Sequence, residues 1–142
     1  MIAIGSDHGG YSLKQEIMKH LEAQGKAFTD VGCYDEKSVD YPVYAKKVTE
    51  KIQDGTCDLG ILVCGTGIGM SMAANKEKGI RAAAVSDCYT AEKTREHNNA
   101  NVLCLGGRTL GPDLAVKIVD CFLSTPFSGE ERHIRRIQMW DK

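Results

Sequence analysis

The sequence lacks the features of a membrane or secreted protein. No apolar run approaches the roughly 18 residues that a membrane-spanning helix needs, and the first residues carry neither the basic segment nor the apolar stretch of a secretory signal. Six cysteines are present but no Cys-x-x-Cys pair, so the thiols are expected to be free, as in a reducing compartment. We therefore expect a cytoplasmic protein.

The sequence also lacks an excess of charge and a metal-binding pattern. A formal net charge of -1 leaves no basic footprint for nucleic acid or for an anionic membrane, so neither is expected as a partner. The histidines are too dispersed for metal-ligand spacing, and no carboxylate cluster resembles a magnesium site. We predict no metal and no other cofactor. Because the chain has no overall positive charge, any anion must be bound by a few residues at one place.

No linker or low-complexity tract divides the 142 residues. A chain of this length fits one domain, and 42% hydrophobic residues are enough to build a core. We expect residues 1–142 to form a single domain.

Short apolar runs alternate with longer segments of helical spacing. The runs predict five buried strands, at Ile2–Ile4, Ala27–Val31, Leu59–Val63, Ala82–Val85 and Val102–Leu105. The helical spacing predicts helices at Leu13–Ala23, Tyr44–Ile52, Met70–Lys76, Thr90–His97 and Pro112–Leu123, with a short sixth helix within Gly129–Trp140. This alternation is typical of an α/β fold with a doubly wound parallel sheet.

Ligands of such sheets bind at the carboxyl ends of the strands, where Cys64 is followed by a glycine-rich turn. Glycines at 65, 67 and 69 let backbone N–H groups converge on one point and stabilise an oxyanion or a thiolate. Cys64 could instead be an ordinary buried strand residue. Dinucleotide binding is a weaker alternative, because Met70 stands where the fingerprint has its third glycine, although Asp87 lies near the position of a ribose-binding acid.

Two further groups of polar residues could carry chemistry. Asp7 and His8 place a carboxylate and an imidazole after the first strand, or else Asp7 caps a helix and His8 is a surface residue. His97 lies just before the fifth strand and could also take part in the chemistry. Alternatively, it is the polar end of a helix, where its charge is favourable.

Three arginines are candidates for binding an anion. Arg108 follows a Gly-Gly turn at the sheet edge. Arg132 and Arg136 have i, i+4 spacing, which places both on one helix face where they could hold a phosphate. Alternatively, they belong to a solvated face paired with Glu130 and Glu131.

Several of these motifs together resemble the type B ribose-5-phosphate isomerases, a family that includes the galactose-6-phosphate isomerase subunits. The resemblance runs in order from Met1 to about Arg136 and is carried by Gly5–His8, Asp40–Pro42, Cys64–Ser71, Ala73–Lys76, Gly79–Ala82, His97–Asn101 and Arg132–Arg136. It implies a Rossmann-like α/β/α sandwich with a five-stranded parallel sheet and a C-terminal helix. It also implies a homodimer, paired into tetramers in some members, whose sites combine residues of both subunits.

The resemblance further implies a role for each motif residue. Cys64 would be the base that moves a proton between C2 and C1, and Thr66 would move protons between O1 and O2. Asp7 and His97 would assist ring opening. The substrate would be bound by the turn residues Gly65, Gly67, Ile68 and Gly69, by Tyr41 and Asn98 at sugar hydroxyls, and by His8, Arg108, Arg132 and Arg136 at the phosphate. One branch of the family uses a glutamate base where Met70 stands here, which leaves Cys64 as the base.

The function expected from these residues is aldose–ketose isomerisation of ribose 5-phosphate and ribulose 5-phosphate through an enediolate, a reaction of the pentose phosphate pathway. One alternative is an isomerase of a six-carbon sugar phosphate, such as allose 6-phosphate or galactose 6-phosphate. Another is a sugar-phosphate or nucleotide-binding module without catalysis.

Overall fold

The computed structural model describes all 142 residues. The strands are β1 (Ile2–Ser6), β2 (Phe28–Asp30), β3 (Leu59–Cys64), β4 (Ala82–Ala84) and β5 (Val102–Gly106). The helices are α1 (Tyr11–Ala23), α2 (Tyr41–Gln53), α3 (Ile68–Ala74), α4 (Cys88–Asn98), α5 (Pro112–Ser124) and α6 (Glu131–Gln138).

The five strands form one parallel sheet in the order β2-β1-β3-β5-β4. From β1 the chain first moves to the edge strand β2 and then returns to β3 on the other side of β1. This reversal opens a crevice between the carboxyl ends of β1 and β3, which is where ligands of such sheets bind. The predicted doubly wound α/β fold is confirmed.

Two apolar layers cover the two faces of the sheet, because successive side chains of a strand point in opposite directions. Ile61 and Val63 belong to the layer formed with α1, α4 and α5. Leu62 and Cys64 belong to the layer formed with α2 and α3. The result is the expected α/β/α sandwich. None of the helices has the length and apolar character needed to cross a bilayer.

The two edge strands differ from the prediction of five buried strands. β2 has three residues, all half-buried, and β4 has three residues of which Ala84 is exposed. Each of them has a neighbour on one side only, so less of the strand is covered. The buried part of the sheet is therefore β1, β3 and β5.

Helices α2 and α3 begin earlier than their apolar spacing indicates. Helix α2 starts at Tyr41 rather than Tyr44, since Asp40 is the N-cap and Pro42 lies in the first turn. Helix α3 starts at Ile68 rather than Met70, directly after Gly67 in the left-handed conformation. Helix α6 covers only the middle of the predicted segment 129–140.

A buried lysine ties α1 to the segment after β2. Lys14 is fully buried, and its Nζ lies 2.7 Å from Asp30 Oδ1 and also donates to the carbonyl oxygen of Cys33. Asp30 Oδ1 in turn accepts the N–H of Gly32 at 2.9 Å. This segment continues to Val39, whose N–H donates to the ring of His8. The ion pair thus supports one wall of the crevice.

Replacing Asp30 with alanine is expected to destabilise the fold strongly, since the buried ammonium of Lys14 loses its counterion. The free energy of unfolding, measured with urea, should fall by about 3 kcal/mol. Glu16→Ala is the control, because Glu16 pairs with Lys19 on the surface and such pairs contribute less than about 1 kcal/mol. Equal losses for the two variants would contradict the role given to Lys14.

Candidate active site

The loops that follow β1, β3 and β5 form one continuous floor. The strand register places Ser6 beside Val63 and Cys64 beside Gly106. Backbone hydrogen bonds then join the loops, with the N–H of Gly107 donating to Cys64 O at 2.7 Å and the N–H of Arg108 donating to Gly65 O at 3.0 Å. Side chains from three distant parts of the sequence are therefore held at one edge of the sheet.

The sulfur of Cys64 faces the glycine turn. Cys64 is 5% exposed, and its Sγ accepts a hydrogen bond from the N–H of Gly67 at 3.1 Å. Apolar side chains, among them Met70, belong to the same buried cluster. A backbone donor aimed at the sulfur from within an apolar wall stabilises negative charge on that atom. Cys64 is therefore a buried strand residue, as the alternative interpretation holds, and its sulfur in addition receives a backbone hydrogen bond.

A second thiol on the same face of the sheet has a different environment. Cys104 lies on β5 and is fully buried, and burial, with a smaller contribution from the nearby Cys64, raises the pKa of its thiol far above the usual range. Cys104 therefore stays protonated and contributes to packing only.

The turn from Gly65 to Gly69 needs glycine at specific points. Gly67 has a φ of 81°, and a Cβ there would lie 3.0 Å from the carbonyl carbon of Leu105. A Cβ on Gly69 would lie 2.8 Å from the ring of Tyr41, so that ring covers the turn. Thr66 is exposed, and its Oγ1 accepts the N–H of Ile68 at 3.2 Å.

Asp7 and His8 stand beside this turn, and the side chain of each accepts a backbone hydrogen bond. Asp7 is buried, and its Oδ1 accepts the N–H of Gly10 at 3.0 Å. The N-cap of α1 is Gly10, which has no side-chain cap hydrogen bond, so Asp7 is not the helix cap that the alternative expected. His8 Nδ1 accepts the N–H of Val39 at 3.2 Å. Because Nδ1 is the acceptor, Nε2 of a neutral ring carries the proton and is a donor.

Arg108 is the cation of this edge. Its side chain is exposed and packs against the backbone at Gly9 and Gly65, where an added Cβ would lie 3.5 Å from Cζ and 3.6 Å from Cδ, respectively. No carboxylate forms an ion pair with Arg108. Its guanidinium is therefore available to an anion above the glycine turn.

The remaining predicted residues form a second cluster at the opposite end of the sheet. Helix α4 runs back toward the amino ends of the strands, so His97 and Asn98 end it shortly before β5 begins. Val102 and Gly106, the two ends of β5, are separated by about 13 Å. Within one chain the structure does not bring His97 and Asn98 to Cys64.

The arginines of α6 accompany this second cluster. Arg132 is exposed and pairs with Glu130 at 2.6 Å, which agrees with the solvated-face alternative for that residue. Arg136 is exposed and has no ion pair. The ring of His133 stacks on that of His97 with centroids 4.3 Å apart, a contact that sequence reasoning missed.

The turn after α4 is held by hydrogen bonds from two arginines. Asn99 has a φ of 48°, the left-handed conformation expected for an asparagine at this point. Arg81 Nε donates to Asn99 O at 2.7 Å, and Arg95 Nη1 donates to Asn99 Oδ1 at 3.1 Å. The backbone beside His97 is thus rigidly placed.

A cavity of about 760 Å³ lies at this second end. Of the predicted site residues only Asn98 lines it, together with cationic side chains such as Lys76 and Arg81. Cys64 does not line this cavity.

Asp87, the acidic residue on which the dinucleotide alternative depends, is a helix cap. The carboxylate of Asp87 caps α4, since Oδ1 accepts the N–H of Thr90 at 2.7 Å and Oδ2 accepts the Thr90 hydroxyl at 2.9 Å. The side chain of Asp87 therefore serves as the N-cap of α4 in this chain. No group of three or more His, Cys, Asp or Glu side chains has the geometry to hold a metal ion.

Comparison with known proteins agrees with the fold. Residues 2–140 match the family described as ribose/galactose isomerase. The ribose-5-phosphate isomerase B of Escherichia coli is 45% identical over 96% of this chain and 91% of its own length. This chain therefore belongs to the ribose/galactose isomerase family, which confirms the resemblance seen in the motifs.

Two solved structures extend the comparison to three dimensions. A ribose 5-phosphate isomerase of Thermotoga maritima is 53% identical with a TM-score of 0.96, covering 99% of this chain and 96% of that one. The ribose-5-phosphate isomerase B of Mycoplasma genitalium, with bound ribulose-5-phosphate, is 46% identical with a TM-score of 0.92, covering 97% and 91%. The fold described above is that of these enzymes.

Replacing Gly67 with alanine is expected to disrupt the turn beyond the usual cost of a left-handed residue. Gly25→Ala is the matched control, because Gly25 has a φ of 67° but open space around it, and it should lose about 1 kcal/mol of unfolding free energy. Gly67→Ala should lose roughly 2 kcal/mol more, since the methyl group forces the backbone of β5 aside. Urea unfolding measures both, and equal losses would show that Gly67 is not tightly packed.

Proposed function

We propose that this chain is an aldose–ketose isomerase that interconverts ribose 5-phosphate and ribulose 5-phosphate, with Cys64 as the base. The observation that carries the proposal is the hydrogen bond from the N–H of Gly67 to the buried Sγ of Cys64 at the carboxyl end of β3. The names of the relatives support this substrate pair, as does the ketose bound to the Mycoplasma genitalium protein.

Proton transfer between neighbouring carbons needs a base and an oxyanion site. In the proposed reaction the thiolate of Cys64 removes the proton from C2 of the open-chain aldose, and the electron pair moves onto the carbonyl oxygen at C1. The amides from Gly65 to Gly69 hold the enediolate oxygen. Thr66, exposed at the same turn, moves a proton between O2 and O1, and Cys64 returns its proton to C1.

The rest of the substrate is bound through its phosphate and hydroxyls. The Nε2–H of His8 and the unpaired guanidinium of Arg108 suit a phosphate at the edge of the crevice. Tyr41, packed on Gly69, is placed for a sugar hydroxyl, and Asp7 assists ring opening. The proton moves within one sugar, so the reaction needs no cofactor.

We propose that the active unit is a homodimer, because His97, Asn98, Arg132 and Arg136 lie at the other end of the chain. Unpartnered apolar side chains accompany each half-site. Ile68 and Met72, one turn apart on α3, are 52% and 65% exposed beside the glycine turn, and Trp140 is 50% exposed beyond α6. A two-fold dimer pairs the same surfaces twice and would bring His97 of one chain to Cys64 of the other. A tetramer would form by the pairing of two such dimers.

The six-carbon alternative has one supporting observation, the family description that names galactose beside ribose. Comparing kcat/KM for ribose 5-phosphate, allose 6-phosphate and galactose 6-phosphate separates the five-carbon from the six-carbon substrates.

We further propose a cytoplasmic location, supported by six free thiols that suit a reducing compartment.

Replacing Cys64 with alanine is expected to lower the turnover of ribose 5-phosphate by roughly 10²–10⁴, the usual contribution of a general base. Ribulose formation is measured with chelator present, and substrate binding by calorimetry should change little. Cys121→Ala, a half-buried thiol on α5, is the control and should keep full turnover.

Two results would contradict this proposal. Wild-type protein that binds ribose 5-phosphate but forms no ketose would indicate a binding module. Wild-type turnover that Cys64→Ala retains would indicate another base.

Mixing two inactive variants tests whether the site is shared between chains. Cys64→Ala and His97→Ala proteins, unfolded together in equal amounts and refolded, should regain about a quarter of wild-type activity, because half of the dimers are mixed and each holds one intact site. Each variant refolded alone is the control. No recovery, with mixed dimers demonstrated by mass spectrometry, would place Cys64 and His97 in the same chain's site.

A further inference from the structure

Helix α6 buries one histidine against the rest of the chain. Of its eight residues only His133 is buried, at 6% exposure, while Ile137, one turn later, is half-buried. The other six residues face solvent. His133 is therefore the buried contact of α6, while the residues after the helix are held by the ion pair of Asp141 with Arg81 at 3.1 Å.

The contact that His133 makes is with the ring of His97. The centroids lie 4.3 Å apart and the planes are within 15° of parallel, which is the geometry of stacked rings. A flat ring on one face of an imidazole limits its rotation while leaving the nitrogen atoms at its edge free.

The polar edge of His133 makes no bond to compensate its burial. Its Nε2 is buried and has no hydrogen-bond partner in the chain. A protonated ring there would bury both a charge and an N–H without an acceptor, which is unfavourable. The ring of His133 is therefore neutral.

The charges around His133 act in the same direction. Burial is the main reason that its pKa lies below the usual histidine range, and His97, Arg132 and Arg136 lower it further, whereas Glu130 opposes them. On α4 the acid next to His97 in the sequence is Glu96, and it is paired with Lys93 at 2.9 Å. As the pH falls through about 6.5, where a free histidine takes up a proton, His133 stays neutral.

We infer that His133 is a positioning residue for the proposed reaction, a neutral ring that fixes the imidazole of His97 for acid–base work on the sugar ring. This inference rests on the proposed function, in which His97 opens the furanose. Without the stack, His97 would rotate freely at the end of α4, and fewer of its orientations would meet the ring oxygen.

Two substitutions of His133 separate the stacked ring from its nitrogen atoms. His133→Phe keeps a flat, neutral ring, and His133→Ala removes it. Turnover is measured from ribose 5-phosphate, whose furanose must open, and from ribulose 5-phosphate, which has no ring because its 5-hydroxyl is phosphorylated. His20→Ala is the control, since His20 lies on α1 and pairs with Asp120 at 2.8 Å.

We expect His133→Ala to lower kcat for ribose 5-phosphate roughly tenfold, the effect of a misplaced acid–base group, and kcat for ribulose 5-phosphate less than about twofold. His133→Phe and His20→Ala should keep both values within about twofold of wild type. If loss of the stack only displaced α6 and its arginines, KM would instead rise for both sugars. Equal losses in both directions, a Phe variant as impaired as the Ala variant, or an Ala variant without effect would overturn the inference.

Histidine NMR gives a readout independent of activity. The ring signals of His133 should stay unchanged as the pH is lowered from 8 through about 6.5, the ordinary histidine pKa, and an ordinary titration would overturn the neutral assignment. A wild-type protein without isomerase activity would contradict the proposed function. Active wild-type protein with unaffected His133→Ala would contradict this inference alone.

Discussion

The proposed chemistry depends on the pairing of β3 with β5, which sets the position of the glycine turn. The register places Cys64 beside Gly106 at the end of both strands. The N–H of Gly107 then donates to the carbonyl oxygen of Cys64, and Gly67 folds back so that its own N–H points at the sulfur. A shift of one residue in this register would turn the side chain of Cys64 to the other face of the sheet. The core of the sandwich and the candidate base are therefore specified by the same hydrogen bonds.

The direction of the helices explains why the predicted site residues fall into two groups. In a parallel sheet the strands end at one edge and the connecting helices run back to the other. Residues at or just after the end of a strand, such as Cys64 and Asp7, thus lie at one edge, while His97 at the end of α4 lies at the opposite edge. In the proposed homodimer a second chain would bring the two groups together.

Much of the fold could be predicted from the sequence, because apolar runs and helical spacing report burial directly. The three buried strands and the order of all helices followed from these patterns. The strands β2 and β4 were also predicted in place, but they are shorter than predicted and not buried, because an edge strand has a neighbour on one side only. The start of α3 also differed, because the left-handed conformation of Gly67 lets the helix begin two residues earlier.

The candidate site was predicted in part, for a similar reason. The glycine turn after Cys64 is a local pattern, so its contact with the sulfur could be expected from the residues alone. The stack of His133 on His97 joins residues far apart in the chain. The only local signal for it is the four-residue spacing of His133 and Ile137, which marks the inward face of a helix that is otherwise charged.

The central claim is that a protein base at Cys64 carries a proton between two carbons of the sugar. Isomerising ribose 5-phosphate in deuterium oxide tests it most directly, with the label at C1 of ribulose 5-phosphate measured by NMR. The account predicts deuterium at C1 in part of the ketose, since exchange of the thiol proton with solvent competes with its return to C1. Ketose that is entirely free of deuterium at C1 would mean that no solvent-exchangeable group carries the proton and would contradict it.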